Sequence, residues 1–405
     1  MSRAEAHGGG ARRAALRLLE AVLRKGRPLE AALDTAARDL ERGDDRALAH
    51  AIGAEALRRL PDLDALIDRA TKQRLADDAK ARFALRIALV QALALGTPPH
   101  AAISTVLDLV EGGPRRLVHG VFGTVMRNGW TLPEVPTLPG NVAERWRRAW
   151  GDEAVDAAAR LMAAPPPLDL AFPEDAPPQI DGISLMPGHL RLDRGRGVAG
   201  LAGYGEGRFW VQDIAASMPA RLLGKGEGRT VLDLCAAPGG KTMQLAAAGW
   251  RVTAVEVSEG RLRRLAENLD RTGLSVEIIA ADVMTWQPAG PVDAILLDAP
   301  CSATGIFRRH PDVLHRVRPA AVADLAEAQK AMLSRAATWL KPGGMLVYSV
   351  CSLEPEEGED VAHVFLEGHP DYGREEERRL LPGWLEAEGG ADSFYIARFT
   401  RLSRG

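Results

Sequence analysis

The sequence predicts a multidomain fold, in which an all-α helical bundle is followed by a small α+β domain and then by a doubly wound α/β domain. Up to about residue 130 the apolar residues recur only at helical spacing, and the proline-rich stretch TLPEVPTLPGN (131–141) ends that pattern. From about residue 228, strand-like and helix-like segments alternate. We therefore expect three domains, at 1–137, 138–222 and 223–405.

Amphipathic helices account for the first domain. The segment ARRAALRLLEAVLRKG (11–26) places Leu16, Leu19 and Val22 near one face, and the Gly-Arg-Pro that begins at Gly26 ends the helix. Four further segments repeat this pattern, at 46–60, 62–75, 80–96 and 102–113. Glycines and prolines separate them, which indicates a compact bundle.

The second domain has mixed character. Residues 141–164 have a helical pattern that a run of three prolines ends. Short apolar runs near 180–185, 190–192 and 209–211 predict strands. We expect a small α+β domain here.

The third domain shows the strand and helix alternation of a parallel sheet with helices on both faces. Predicted strands lie at 230–236, 251–258, 276–282, 292–300, 344–352 and 393–401. Predicted helices lie at 241–249, 259–273 and 320–344. In such sheets, ligands bind at the carboxyl ends of the strands near the point where the strand order reverses, and the motifs of interest lie at those ends.

The composition narrows the class of protein. No stretch of 18 apolar residues occurs, and the N-terminal segment lacks the apolar core of a secretory leader, so we expect neither a membrane span nor secretion. Three cysteines in 405 residues form no disulfide framework, which favours a cytoplasmic location. The net charge of −3 neither requires nor excludes a nucleic-acid partner.

A glycine-containing loop and three acids predict a nucleotide site. DLCAAPGGK follows the first predicted strand, and a predicted helix begins at its end. The segment has neither the G-x-G-x-x-G spacing of dinucleotide-binding proteins nor the P-loop pattern, which argues against a dehydrogenase or an NTPase. Glu256, Asp282 and Asp298 then end successive strands, where carboxylates suit ribose hydroxyls and an adenine amine. These acids could instead be helix caps. An adenosine-bearing cofactor without a pyrophosphate to cradle suggests S-adenosyl-L-methionine.

Two cysteines predict the chemistry. Cys301 lies in LLDAPCSATG and Cys351 in VYSVCSLEPEE, each at the end of a predicted strand. Methylation at C5 of cytosine needs a thiolate that adds at C6, whereas methylation of nitrogen or oxygen needs no nucleophile. A carboxyl group such as Asp298 near N3 would neutralise the charge that develops on the ring. The alternative is that these cysteines are small buried apolar residues. Cys235, in the glycine loop, is expected to pack or to line the site.

The motifs DLCAAPGGKT, LLDAPCSATG and YSVCSLEPEE together resemble those of the RNA cytosine-C5 methyltransferase family. VQDIAAS (211–217) is similar to the segment that precedes the family's cofactor domain, and RRHPD (308–312) is similar to one branch that acts on small-subunit ribosomal RNA. TPPHAAISTVLDLV and GVFGTVMR resemble the NusB-like domain that this branch carries in front. The resemblance implies a NusB-like RNA-binding bundle, a small linker domain and a Rossmann-like methyltransferase domain.

The resemblance also implies residue roles. Cys351 would be the nucleophile, and Cys301 would assist release of the product. With Asp298, whose catalytic role comes from the chemistry of the ring, they form the predicted catalytic set. The implied cofactor-binding residues are Cys235, Ala236, Ala237, Pro238, Gly239, Gly240, Lys241, Glu256, Asp282 and Asp298. The implied substrate is a cytosine of 16S ribosomal RNA in an unassembled or partly assembled small subunit, methylated by a monomer that needs no metal.

The chain departs from the family pattern at several positions, including Val350 and Gly358 beside the second thiol motif and Gly123 in the helical domain. Basic clusters, among them Arg191 to Arg196 and Arg308 to Arg318, are candidate phosphate contacts. Two alternatives stay open at this point. One is the same chemistry on a transfer RNA cytosine, and the other is a non-catalytic RNA-binding assembly factor.

Overall fold

A computed structural model of the protein describes residues 3–193 and 197–403, with side chains from residue 9 onward. These residues form two compact units. The first unit contains the chain up to Arg148 together with Ala158–Ala164 and Phe307–Val317. The second contains Ala149–Ala157, Pro165–Ile306 and the chain from Arg318 onward. The predicted domain boundaries at 137 and 222 stay a prediction.

The first unit is helical, as the sequence predicts. Its helices, numbered in chain order, are α1 (Arg3–Leu23), α2 (Leu29–Ala36), α3 (Gly43–Arg58), α4 (Leu60–Ala70), α5 (Lys80–Leu93), α6 (Pro99–Leu107), α7 (Gly113–Arg127) and the short α12 (Val313–Arg316). Almost all of α5 is buried, and its apolar side chains form the centre of the core. None of the described helices is long and apolar enough to cross a lipid bilayer.

Two arginines lie inside this core because each has a carboxylate partner. The side chains of Arg82 and Arg86 are buried on α5. Arg86 donates two hydrogen bonds of 2.8 Å to Asp64, and Arg82 donates to both Asp64 and Asp68. Buried charges persist only when they are paired in this way. The pairs fix α4 against α5.

The RRHPD segment belongs to the helical unit, although it follows Cys301 directly in sequence. Asp312 accepts a 3.3 Å hydrogen bond from the backbone N–H of Leu29, where α2 begins. The ring of His315 hydrogen-bonds to the carbonyl oxygen of Leu57 at 2.7 Å. Residues 307–317 therefore complete the packing of the bundle and do not extend the sheet domain.

This placement corrects the expectation that Arg308 is a phosphate contact. Arg308 is 1% exposed, and Arg58 donates a 3.0 Å hydrogen bond to its carbonyl oxygen. A guanidinium group enclosed in the bundle presents no charge to RNA. The basic appearance of the segment therefore reflects internal packing at this position.

The second unit begins with part of helix α8 (Gly140–Met162), which breaks at Gly151 with a φ of 83°. A three-stranded antiparallel sheet follows, with strands β1 (Leu168–Ala171), β2 (His189–Leu192) and β3 (Trp210–Val211) in the order β2-β1-β3. The predicted strand at 180–185 is wrong, since only an isolated bridge at Ile183 forms there. Strand β1 was not predicted, because it is only four residues long and lies between prolines.

A buried ion pair holds this small sheet together. Arg191 on β2 donates hydrogen bonds of 2.7 and 2.8 Å to the two oxygens of Asp169 on β1. Burial alone would raise the pKa of Asp169, but the hydrogen bonds from Arg191 and His189 outweigh it and hold that pKa well below its usual range. Arg191 is thus a structural residue and not a phosphate contact, while Arg194 and Arg196 lie outside the described residues.

Replacement of Asp169 by asparagine should lower the free energy of unfolding by about 3 to 5 kcal/mol at neutral pH, because it leaves Arg191 buried without its counter-charge. A carboxyl group with a lowered native pKa stabilises the fold above its unfolded pKa of about 3.9, and this contribution is lost as the pH falls through the native value. The difference between wild type and variant should therefore narrow below about pH 4. Urea unfolding of both proteins at several pH values measures this difference in the free energy of unfolding. Asp175→Asn, at an exposed position, is the control, and equal midpoints at neutral pH would contradict the prediction.

The larger sheet of the second unit has seven strands among the described residues. They are β4 (Thr230–Leu234), β5 (Arg251–Glu256), β6 (Glu277–Ala280), β7 (Val292–Asp298), β8 (Leu340–Val350), β9 (Tyr372–Leu380) and β10 (Phe394–Arg401). The helices are α9 (Ile214–Arg221), α10 (Gly240–Ala247), α11 (Glu259–Thr272), α13 (Pro319–Ala337) and α14 (Glu359–Gly368). The order is β6-β5-β4-β7-β8-β10-β9, with β10 antiparallel to both of its neighbours. The predicted α/β fold is confirmed, and β4 and β7 flank the point where strand order reverses.

Candidate active site

The register of the sheet brings three loops to one edge. Leu234, the last residue of β4, pairs with Leu297 on β7, and Asp298 at the end of β7 pairs with Ser349 on β8. Because these strands are parallel, the chain leaves all three at the same edge. The glycine loop and both thiol motifs therefore meet beside the switch point, where α/β sheets bind their ligands.

The glycine loop after β4 makes a tight turn into α10. Gly239 has a φ of 104°, and a Cβ atom there would lie 2.4 Å from a methyl carbon of Leu265. Cys235 also has a positive φ, of 62°, and the Ala237–Pro238 peptide is cis. The turn places the N-terminus of α10 beside the carboxyl end of β4. Such a turn presents backbone N–H groups to a bound ligand.

Asp233, just before this loop, was not singled out from the sequence. It is fully buried, and the hydroxyl of Thr242 on α10 donates a 2.5 Å hydrogen bond to it. Burial raises the pKa of Asp233 to about 7. The contact joins β4 to the first turn of α10, and so it stabilises the glycine loop that connects them. Its position inside an apolar strand was the only sequence signal.

Of the acids that end β5 and β6, Glu256 is the better placed for a ribose. It is 2% exposed, and its Oε1 accepts a 2.9 Å hydrogen bond from the backbone N–H of Ser258. Its Oε2 lies 3.0 Å from the Arg261 guanidinium, but no described protein donor is aligned to hydrogen-bond with it. This oxygen fits a ribose hydroxyl donor. Asp282 is exposed and accepts a 2.8 Å hydrogen bond from the N–H of Met284.

Asp298 is held by two side chains. The ammonium group of Lys241 lies 2.7 Å from its Oδ2, and the hydroxyl of Ser349 donates a 2.8 Å hydrogen bond to its Oδ1. Lys241 is the second residue of α10, so the pair connects the glycine loop to the end of β7. Ser349 was not anticipated from the sequence. A carboxylate fixed at both oxygens has a defined orientation toward a substrate.

The two thiols of the predicted catalytic set are neighbours. The sulfur atoms of Cys301 and Cys351 lie 3.5 Å apart, and both side chains are half-buried. The hydrogen bond with Cys351 raises the pKa of Cys301, and burial and the negative charge of Glu357 raise it further. Cys301 is therefore a protonated thiol at neutral pH.

Cys235 differs from the other two cysteines. Burial raises its pKa to about 12, and the charges of Glu256 and Asp298 add to this effect. A thiol with so high a pKa is a poor nucleophile. Cys235 is partly buried against the apolar core of the sheet, and its role in lining the site stays a prediction.

Comparison with known proteins identifies the family. Residues 220–399 match the family model described as 16S rRNA methyltransferase RsmB/F, and residues 10–127 match that of the NusB family. A similar curated protein is the ribosomal RNA small subunit methyltransferase B of Xylella fastidiosa, which is 35% identical over 96% of this chain and 97% of its own length. The corresponding protein of Pseudomonas putida is 33% identical over 97% and 99%.

Solved structures agree on the fold. The crystal structure of NSun6 from Pyrococcus horikoshii with SFG covers 66% of this chain and 99% of its own, with a TM-score of 0.57 and 19% identity. At this identity the likeness concerns the fold alone. The matching family models, the near full-length relatives and this fold together show that the chain belongs to the 16S rRNA methyltransferase RsmB/F family and is an S-adenosylmethionine-dependent methyltransferase with a NusB-family domain.

Proposed function

We propose that the protein methylates C5 of one cytosine in small-subunit ribosomal RNA, through a transient bond between the sulfur of Cys351 and C6 of the base. The observation that carries this proposal is the pair of thiols 3.5 Å apart at the sheet edge where Asp298 also lies. Methyl transfer to nitrogen or oxygen gives no reason for two adjacent sulfur atoms. Transfer to C5 does, because that carbon must first be made nucleophilic.

In the first step the Cys351 thiolate adds to C6, and the electrons of the C5–C6 bond delocalise toward N3. Asp298, which the Lys241 ammonium group contacts at 2.7 Å, relays a proton from that group to N3 and so neutralises the charge that builds there. The proton returns to Lys241 when the adduct breaks down. The hydrogen bond from Ser349 keeps Asp298 oriented during this step. C5 then takes up an electrophilic methyl group, which S-adenosylmethionine would supply, with S-adenosylhomocysteine as the leaving group.

Release of the product uses the second thiol. After a water molecule from the solvent accepts the C5 proton, the C5–C6 double bond re-forms and the Cys351–C6 bond breaks. Cys301, a protonated thiol 3.5 Å away, donates a hydrogen bond to the departing thiolate of Cys351 and so stabilises it. Cys351 therefore acts in the addition step, and Cys301 acts in the elimination step.

The target base must leave its stack to reach this edge, at a cost of a few kcal/mol that is smallest in single-stranded RNA. We therefore propose that the substrate is an unassembled or partly assembled small-subunit RNA.

Methylation of purified 16S ribosomal RNA, followed by mass spectrometry of the nucleosides, tests the function. We expect 5-methylcytidine at one position of 16S RNA and none in transfer RNA. Methylation of transfer RNA alone, or of a cytosine nitrogen, would contradict the proposal. No methyl transfer to any RNA, with RNA binding intact, would favour a non-catalytic assembly factor.

Replacement of Glu256 by glutamine should weaken binding of S-adenosylmethionine about tenfold or more, because a charged acceptor for the ribose hydroxyls is lost. Isothermal titration calorimetry measures the dissociation constant. Glu259→Gln is a matched control, since Glu259 is an exposed acid three residues further along the chain. Equal affinities for wild type and Glu256→Gln would remove Glu256 from the proposed cofactor site.

A further inference from the structure

We infer that Glu357 is a positioning residue of the proposed reaction, which joins the two thiol loops to each other and places a buried carboxyl group behind Cys301. This inference rests on the proposed function, in which the two sulfur atoms act together. Glu357 is the second acid of the PEE sequence, and unlike its exposed neighbour Glu356 it is fully buried. A carboxyl group buried this deeply needs several hydrogen-bond donors.

Three of these donors belong to the residues that directly follow the two cysteines. Oε1 of Glu357 accepts a 2.8 Å hydrogen bond from the backbone N–H of Ser302. Oε2 accepts hydrogen bonds of 2.5 Å from the hydroxyl of Ser302 and from the hydroxyl of Ser352. Cys301 and Cys351 immediately precede these serines. A single carboxyl group thus determines how far apart the two thiol-bearing segments lie.

Glu357 is itself anchored by the surrounding elements. The side-chain amide of Gln329 on α13 donates to Oε1 at 3.2 Å and to the carbonyl oxygen of Pro300 at 2.8 Å. The hydroxyl of Tyr348 on β8 donates a 2.6 Å hydrogen bond to the backbone carbonyl of Glu357. Gln329 and Tyr348 are fully buried. The carboxyl group therefore has little freedom to move.

Backbone contacts show how closely the two loops pack. The N–H of Gly305 donates a 3.0 Å hydrogen bond to the carbonyl oxygen of Cys351. A Cβ atom on Gly305 would lie 2.2 Å from the carbonyl oxygen of Ser393, so no larger residue fits without displacement of the backbone. The hydroxyl of Thr304 accepts a hydrogen bond from the N–H of Leu353 at 3.0 Å. Loops packed this closely transmit a change at Glu357 to both sulfur atoms.

The charge of Glu357 has a second consequence. It raises the pKa of Cys301, after the larger effects of the hydrogen bond to Cys351 and of burial. Other titratable and charged groups near this network are the phenols of Tyr348 and Tyr395 and the guanidinium of Arg379. Arg379 pairs with Glu359 and donates to the carbonyl oxygen of Ser352. Burial raises the pKa of Glu357 itself, against four hydrogen bonds that lower it. Glu357 thus favours the protonated form of Cys301, the form that release of the product requires.

Differential alkylation of the free full-length protein tests the inference without RNA or methyl donor. Iodoacetamide is added across a pH series, and peptide mass spectrometry follows Cys301 and Cys351 separately. In Glu357→Gln the loss of negative charge should let Cys301 ionise at lower pH, so its alkylation rate at neutral pH should rise by about tenfold for each unit by which its pKa falls. Glu356→Gln, the exposed neighbour, should match wild type.

Kinetics of methyl transfer provide the second measurement. Glu357→Gln should lower kcat about tenfold or more with unchanged affinity for S-adenosylmethionine, because the thiol loops lose a charged bridge. Glu357→Asp keeps the charge but shortens the side chain. It should therefore keep the alkylation profile of wild type and lose kcat, which separates position from charge even if Glu357→Gln fails to fold.

Two results would overturn the inference. One is a Cys301 alkylation profile in Glu357→Gln equal to that of wild type, whatever happens to kcat. The other is wild-type kcat in Glu357→Asp. Because alkylation requires no substrate, failure of the proposed function would appear instead as a wild-type enzyme that makes no 5-methylcytidine, with the alkylation results unaffected.

Discussion

Replacement of Cys351 by alanine should lower methyl transfer by about four orders of magnitude or more, which is the usual effect of removing a nucleophile. C5 of cytosine is unreactive toward a methyl donor unless a thiolate has first added at C6. Cys351 lies directly after β8 and is not part of the glycine loop, so the affinity for S-adenosylmethionine should stay within about twofold of wild type. Transfer of a labelled methyl group and calorimetry measure the two quantities.

Cys351→Ser controls for the side-chain volume that is lost in Cys351→Ala. Serine is similar in size to cysteine, but its hydroxyl group is a much weaker nucleophile than a thiol. It should be as inactive as the alanine variant. Substantial methylation by either variant would assign the nucleophile elsewhere.

Replacement of Cys301 by alanine should have a different outcome, namely accumulation of a covalent protein–RNA adduct. The addition step keeps its nucleophile, but the departing sulfur of Cys351 loses the hydrogen bond from the thiol 3.5 Å away. Once C5 carries the methyl group, the adduct leaves only by elimination, and that step becomes slow. Denaturing gel electrophoresis of the variant with labelled RNA and methyl donor should show a band of reduced mobility.

The double variant Cys301→Ala/Cys351→Ala is the matched control, and the band should disappear in it. Wild type should show little of the band because it releases product. A Cys301→Ala variant without the band would contradict the release role, and persistence of the band in the double variant would mean that another residue forms the bond.

Much of the sheet could be predicted because its central strands are buried on both faces. Strands β4 (TVLDL) and β7 (VDAILLD) are largely apolar and buried, and such runs are typical of parallel strands. Strand β9 has the sequence YGREEERRL and lies at the sheet edge, where one side of the strand has no partner and charged residues are tolerated. Nothing in its local pattern marks it as a strand.

The position of segment 307–317 could not be predicted from its local sequence. Its arginines and histidines suggest a phosphate-binding surface, yet Arg308 and Asp312 are each 1% exposed inside the helical unit. Local sequence carries no information on which part of the chain a segment packs against. The contacts with Leu29, Leu57 and Arg58, far away in sequence, reveal its role.

The site was predictable to the extent that strand ends determine it. Cys301, Cys351 and Asp298 follow from the motifs at the ends of β7 and β8, and the register of those strands brings them together. Ser349 and Glu357 were missed because their importance depends on burial. Glu357 and Glu356 look alike in sequence, and only the fold encloses one and exposes the other.

The central claim is the bond between Cys351 and C6, and small-subunit RNA that contains 5-fluorocytidine tests it most directly. Fluorine at C5 cannot leave as a proton does, so elimination stops and the adduct stays with the wild-type protein. After digestion with protease and nuclease, mass spectrometry identifies the modified residue. The proposed mechanism predicts a methylated fluorocytidine mass on the peptide that contains Cys351. Attachment at Cys301, or no adduct from a protein that methylates normal RNA, would contradict it.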